Sequence, residues 1–269
     1  RFESQNVAFF TYAITFFSLQ MSCLSSVAAS SSASEFSPNS TISRSSSFEI
    51  LNAADQPPSR HSDGSSKINE MIDLRTSLLT DLELRMAEFL SWLHTVAKVI
   101  KHQHKYGKIH GNINPLQIYV TVDREIEMPE HTRILSRHER KRVTAYMSPE
   151  RIRESKIGQK GDIWAFGMLV WEMLTHSFPF EGISEQAVFY NIGCGRLSMN
   201  PPVDAPKEIQ SLIRLCLAFK EEDRPTIDEV LRKLKNARVE LSRMTDQEWR
   251  TKAGIWNREA KSLVAYKKY

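Results

Sequence analysis

Gly161-Asp162-Ile163-Trp164-Ala165-Phe166-Gly167-Met168-Leu169-Val170-Trp171-Glu172-Met173-Leu174-Thr175 carries apolar side chains on every face of a 3.6-residue helix. A helix of that kind belongs inside a core, and it is too short to cross a bilayer. Upstream, Leu82, Met86, Phe89, Leu90, Leu93, Ala97 and Ile100 recur three or four apart. They predict an amphipathic helix over 81–105, of about seven turns, closed at Tyr106-Gly107, where glycine suits a left-handed exit. Two short β-like runs follow, 117–122 and 132–135, around a polar turn that holds Asp123. Ser148-Pro149-Glu150 reads as a helix start: a serine cap, proline at the first position and an acid in the first turn. Downstream, 208–219 is a second amphipathic helix, and Thr226-Ile227-Asp228-Glu229 is a capping box opening a helix to about Leu241. The tail, 242–269, sets Trp249, Trp256, Leu263 and Tyr266 among many charges and reads as helical. From Lys67 onward the fold class is α+β, mainly helical.

The first quarter of the chain is different. Residues 4–34 carry no charge, and 7–27 (VAFFTYAITFFSLQMSCLSSV) is long enough to span a bilayer. Gln20 and scattered Ser and Thr weaken it as a span, and no basic cluster precedes it as in a signal peptide. The alternation of Tyr12, Ile14 and Phe16 favours a pair of buried strands instead. Residues 1–29 thus form an apolar segment. Residues 30–66 form a serine-rich insert or linker that cannot bury enough apolar surface to offset its ordering entropy. The segment 67–241 is the globular lobe, and 242–269 is its tail.

Composition narrows the functional classes. Over 269 residues, Lys+Arg 36 against Asp+Glu 32 leaves +4, so no strong field points to nucleic acid. Cys23, Cys194 and Cys216 are far apart and without a CxxC pair, which argues against a disulfide framework or zinc site and for a reducing, cytoplasmic setting. The chain opens on Arg1 rather than Met, which reads as a piece of something longer.

Four landmarks now fall in register: Ile109-His110-Gly111-Asn112-Ile113-Asn114-Pro115-Leu116-Gln117-Ile118; Tyr146-Met147-Ser148-Pro149-Glu150; Asp162-Ile163-Trp164-Ala165-Phe166-Gly167; and Cys216-Leu217 with Asp223-Arg224-Pro225-Thr226. The series resembles the large (C-terminal) lobe of the eukaryotic protein kinases, closest to the tyrosine-kinase and tyrosine-kinase-like branch, over roughly 70–240. No glycine-rich phosphate loop or VAIK-type lysine stands upstream. The resemblance therefore implies a kinase-like lobe whose small lobe is missing, or reduced to the strand-like residues near the N-terminus.

The same resemblance assigns roles. Where the family reads HRDLKPEN this chain reads HGNINPLQ. Asn112 occupies the place of the aspartate that accepts the substrate hydroxyl proton, and an amide oxygen is barely basic. Asn114 stands for the catalytic lysine and brings no charge. Gln117 stands for the asparagine that binds a second Mg²⁺, one methylene further out than the octahedral ion tolerates well. The best register after the second strand places Ser136 at the DFG aspartate, with Asp123 the only nearby acid available as a substitute. In contrast, His110, Glu150, Asp162 and Arg224 match residues that hold the fold: a loop histidine packed into the core, an ion pair of Glu150 with Arg224, and a buried aspartate holding the loop backbone. The retained landmarks are structural and the lost ones chemical. The triplet HGN is also similar to that of Janus-kinase pseudokinase domains.

The expectation is a degenerate kinase-like domain (pseudokinase) acting as a protein-interaction or allosteric module. The alternative is a divergent active kinase that uses ATP and Mg²⁺ to phosphorylate Ser, Thr or Tyr of proteins. A membrane-anchored receptor remnant is a third reading, and depends on 7–27 spanning. Arg133, Arg137, His138, Arg140, Lys141 and Arg142 crowd the would-be activation segment. They are either a solvated basic loop or a docking surface for an acidic or phosphorylated protein partner. Val143 replaces the threonine ahead of the substrate pocket, with Thr144 one position off.

Overall fold

In the computed structural model residues 71–80, 84–129 and 133–266 are described. The apolar segment 1–29, the serine-rich 30–66, Leu82 and the start of the 132–135 run lie outside them. The described residues belong to a single compact unit. Its elements run β1 (Ile72–Asp73), α1 (Leu74–Thr80), α2 (Met86–Lys105), β2 (Tyr119–Val120), β3 (Ile126–Glu127), α3 (Arg137–Arg142), α4 (Pro149–Glu154), α5 (Gln159–Thr175), α6 (Glu185–Gly193), β4 (Leu197–Met199), α7 (Lys207–Cys216), α8 (Ile227–Leu241), α9 (Asp246–Glu259) and β5 (Val264–Tyr266). This is a mainly helical lobe with a small antiparallel sheet, ordered β1-β2-β3.

The all-apolar stretch becomes α5, and every residue from Asp162 to Thr175 is buried. Helices α2, α7 and α9 pack around it, and α8 joins α2 and α7. Burial of both indoles is compatible with their N–H groups because each finds a carbonyl: Trp164 donates to Ala145 at 3.2 Å and Trp171 to Asn200 at 2.9 Å. Gly167 sits where α5 meets the end of α7. A Cβ there would stand 2.5 Å from Cβ of Cys216 and 3.2 Å from Leu217.

Helix α2 buries Phe89, Leu90, Trp92, Leu93, Val96, Ala97 and Ile100, as its periodicity implied. It starts at Met86 rather than near Asp81, because Glu88 reaches back to the Arg85 N–H at 3.0 Å and fixes the first turn there. Gly107, at φ +68°, follows its end. The serine ahead of α4 takes the cap position without the side-chain bond expected of it. The Thr226–Glu229 capping box opens α8, which ends at Leu241.

The strands depart from expectation. The second lies at Ile126–Glu127, not at 132–135, and β1 was not foreseen. Burial decides the pairing: Ile126 is 8% exposed and registers with Val120, whereas Ile134 is 90% exposed. The hairpin closes tightly through the Thr121 N–H to Glu125 carbonyl bond, with Arg124 at φ +58°. That left-handed residue is held from α2 by Glu88, bidentate at 2.6 and 2.9 Å, and by Trp92, whose indole donates to its carbonyl at 2.8 Å.

The tail is helical as far as Glu259 and then turns to strand, β5 pairing antiparallel with β4. Trp249 lies between Phe89 (5.2 Å, tilted) and Trp256 (5.5 Å, edge-on) and donates to the Leu84 carbonyl at 2.9 Å. Asn257 donates to the Thr175 and His176 carbonyls, closing the buried C-terminal end of α5. No helix among the described residues is long and apolar enough to cross a membrane. A Gly167→Ala substitution is expected to destabilise the lobe by about 1–3 kcal/mol through overpacking, measured as a shift of the urea midpoint at unchanged slope.

Candidate functional site

The segment between α2 and β2 has no regular structure until a 3-10 turn at Pro115–Gln117. It keeps its shape because one buried carboxylate binds it. Asp162, 2% exposed at the first turn of α5, accepts the His110 N–H at 2.9 Å and the Gly111 N–H at 2.8 Å. It also meets His104 Nε2 at 2.8 Å. Gly111 adopts φ +70°, a conformation that favours glycine, and Arg151 donates to its carbonyl at 2.6 Å. Asp162 thus bonds the backbone of this loop through both of its oxygens.

His110 is half-buried rather than packed into the core. Burial holds its imidazole below the usual value, against the pull of Asp162. Its Nδ1 accepts a long bond, 3.4 Å, from the Asn112 N–H.

The next side chains engage one another. Asn114, 1% exposed, donates through Nδ2 to Asn112 Oδ1 at 2.9 Å and to the Asn112 carbonyl at 3.2 Å. Its own oxygen accepts from the Leu116 N–H at 3.1 Å and caps the 3-10 turn. Gln117 is buried, and both ends of its amide bond one residue: Nε2 donates to the Arg133 carbonyl at 2.8 Å and Oε1 accepts the Arg133 N–H at 2.9 Å. Gln117 therefore acts as a two-pronged clip on the start of the following segment.

Ser136 is the N-cap of α3, in a capping box with Glu139. Because the second strand ends at Glu127, the place directly after it moves from Ser136 to residues 128–132. Of these, Glu130, His131 and Thr132 lie outside the described residues. Asp123 stands in the hairpin turn, as its neighbours implied.

The basic segment folds as the short helix α3 rather than a loop. Arg133, His138, Arg140 and Arg142 are exposed, and the side chains of Arg137 and Lys141 lie outside the described residues. The charges are not all available. Arg133 binds Glu139 at 2.7 Å, whose carboxyl drops to about 2, chiefly through that hydrogen bond. Arg142 lies over the Phe178 ring at 4.8 Å. Thr144 is buried and donates to Glu185 at 3.1 Å, beside a cavity of about 500 Å³ lined by Arg142, Phe178, Phe180 and Glu185.

Glu150 and Arg224 form a buried ion pair. Arg224, 2% exposed, bonds both carboxylate oxygens at 2.8 Å. Its remaining N–H groups go to the carbonyls of Ala218 (2.8 Å), Lys160 (2.9 Å) and Phe219 (3.1 Å). All five guanidinium donors are used, and the planar group lies 5.2 Å from the Trp164 ring. Burial raises the Glu150 carboxyl, but the Arg224 bonds outweigh it and leave it below the usual value.

A second buried pair escaped sequence reasoning. Arg75 of α1 bonds Glu172 of α5 at 2.8 and 2.9 Å, and the Tyr146 hydroxyl donates to the same carboxylate at 2.6 Å. Burial, then the Glu172 charge, pushes the Tyr146 phenol well above its usual value. The available signal was Glu172 itself, since a carboxylate in the last turn of a buried, largely apolar helix calls for a partner.

A family model described as protein tyrosine and serine/threonine kinase matches residues 67–234, more than half of the chain. The chain belongs to the protein kinase family. Among similar proteins, the mitogen-activated protein kinase kinase kinase dlk-1 of Caenorhabditis elegans is 27% identical over 171 residues, covering 60% of this chain and 18% of that protein. Mitogen-activated protein kinase kinase kinase 12 of Rattus norvegicus is 26% identical over 178 residues, covering 64% and 20%. A probable LIM domain-containing serine/threonine-protein kinase of Dictyostelium discoideum is 28% identical over 173 residues, covering 61% and 26%. The chain thus spans about a fifth to a quarter of these relatives. Within the kinase family match lie both α5 and the Glu150–Arg224 pair, while α9 and β5 lie beyond it.

In this kinase domain, Arg224→Ala is expected to cost about 3–5 kcal/mol, because Glu150 is left buried without its cation. A carboxyl lowered in the folded state stabilises above its unfolded value, and that contribution fades as pH falls through the lowered one. Denaturant melts across the acid range should show this loss in wild type and its absence in Arg224→Ala.

Proposed function

We propose that this kinase domain is catalytically impaired and works by binding, as a protein-interaction or allosteric module. One observation carries the reading: at the three matched loop positions, the chain's own bonds engage the side chains that would have to act. Asn112 lacks a basic oxygen and is tied to Asn114. Asn114 is neutral and spent on the loop and its 3-10 turn. Gln117 has both ends on Arg133. These residues do not fit ATP with Mg²⁺, which need a base, a cation and free oxygen ligands at those places. Loss of a general base alone typically costs 10²- to 10⁴-fold, and electrostatic stabilisation of the phosphoryl group is usually the larger contribution.

Exposed Arg140 and His138 on α3 give the partner surface, suited to an acidic or phosphorylated protein. The two described cysteines are free, which accords with a cytoplasmic setting. The second reading, a divergent enzyme transferring phosphate to protein Ser, Thr or Tyr, is favoured by the similar proteins, which are named as kinases. Transfer of labelled γ-phosphate from ATP and Mg²⁺ to a generic protein substrate separates the two. Wild type is expected to match a heat-denatured control, and Asn112→Asp with Gln117→Asn to remain inactive while gaining a Mg²⁺-dependent thermal shift. Transfer by wild type that Asn112→Ala abolishes would establish the enzyme instead.

A further inference from the structure

Where the end of α2 meets the starts of α5 and α8 lies a cavity of about 360 Å³. Its wall includes Lys101, His104, Lys105, Gln159, Lys160 and Asp228. Lys101 and Lys105 are one turn apart on α2 and so share a face. Lys160 faces them from α5. Three lysines line one concavity, with Asp228 the one acidic residue in its wall.

That carboxylate does not balance them. Asp228 pairs with Lys101 at 2.6 Å. Lys160 donates to the Arg224 carbonyl, a neutral acceptor. Lys105 lies 5.7 Å from the Tyr106 ring centroid. Among the described residues no carboxylate forms an ion pair with Lys105 or Lys160, and the Glu229 charge reaches Lys160 only at longer range. Like charges gathered around a cavity repel, and an anion bound among them would relieve that. The volume is at the lower end of small-molecule sites. Lysine suits it as a mobile point charge able to approach a phosphate from several directions.

We infer that the cavity between α2, α5 and α8 binds a phosphate group, either free or carried on a seryl side chain. Lys105 and Lys160 are the principal cations, and Lys101 is shared with Asp228. The floor of the site communicates with the loop described above: His104 lines the cavity and its Nε2 meets Asp162, which holds the His110 and Gly111 amides. Occupancy here would therefore bear on the loop from behind. This inference does not depend on whether the domain transfers phosphate.

The test is isothermal titration of the whole chain with inorganic phosphate, with chloride at matched ionic strength, and with a phosphoserine peptide beside its unphosphorylated twin. Phosphate is expected to give a saturable heat that chloride does not. Lys105→Gln, an exposed position that leaves the fold untouched, should weaken binding about tenfold by removing one charge-assisted contact, and Lys160→Gln likewise. Asp228→Asn should tighten binding, because it frees Lys101. A peptide that binds only when phosphorylated assigns the group to a protein; binding of free phosphate alone assigns a free ion. Phosphate heats no different from chloride, or Lys105→Gln binding as wild type does, would overturn the site, as would equal binding of the two peptides.

Discussion

A helix with no solvent face cannot leave a polar group unpartnered, and α5 carries several. Each is answered from a different part of the lobe. Asp162 is satisfied by the loop after α2, the Trp164 indole by the segment before α4, and the Trp171 indole by the residue after β4. Glu172 takes Arg75 and Tyr146, and the last carbonyls take Asn257 from the tail. The segments that surround α5 are thus held in place as much by its polar minority as by its apolar majority. Hydrophobic burial alone is non-directional; these bonds give each segment an address.

The same constraint separates two kinds of residue in the loop at 109–118. Some have bonds that reach α5 or its neighbours: the His110 and Gly111 amides on Asp162, the Gly111 carbonyl on Arg151. Others bond within the loop or to the segment after it, Asn114 to Asn112 and Gln117 to Arg133. A neutral amide both donates and accepts, so it can close a short internal ring where a carboxylate or an ammonium could not. The amides of Asn112, Asn114 and Gln117 make the loop self-sufficient in hydrogen bonds. Arg224 lies at the opposite extreme, a buried charge whose every donor is matched, which makes its burial tolerable.

Much of this was legible beforehand, for physical reasons particular to each element. The extent of α5 followed from its unbroken apolar run, α8 from its capping box, and the Glu150–Arg224 pair from the order of the landmarks. Helix α2 was visible except for its start, which Glu88 sets through a bond to Arg85. The second strand was misplaced because Ile126 and Ile134 look alike in sequence, and only the tight turn at Arg124 selects the first. The clip from Gln117 to Arg133 was invisible, since it joins residues sixteen apart through a backbone that has no side-chain signature. Arg75, far from Glu172 in the chain, offered no local pattern at all.

Trp249 adds a consequence of another kind. Its indole bonds the carbonyl of Leu84, 165 residues earlier, and its ring rests on Phe89. During vectorial synthesis, α2 and α5 therefore leave the ribosome long before the aromatic surface that covers them exists. At about 5–20 residues per second the uncovered interval lasts on the order of ten seconds. Over that time the lobe is a collapsed but unfinished body with apolar helix faces open, the condition under which chains aggregate or are held by chaperones. Contacts of such long sequence separation also slow folding. The tail is where the nascent lobe becomes finished.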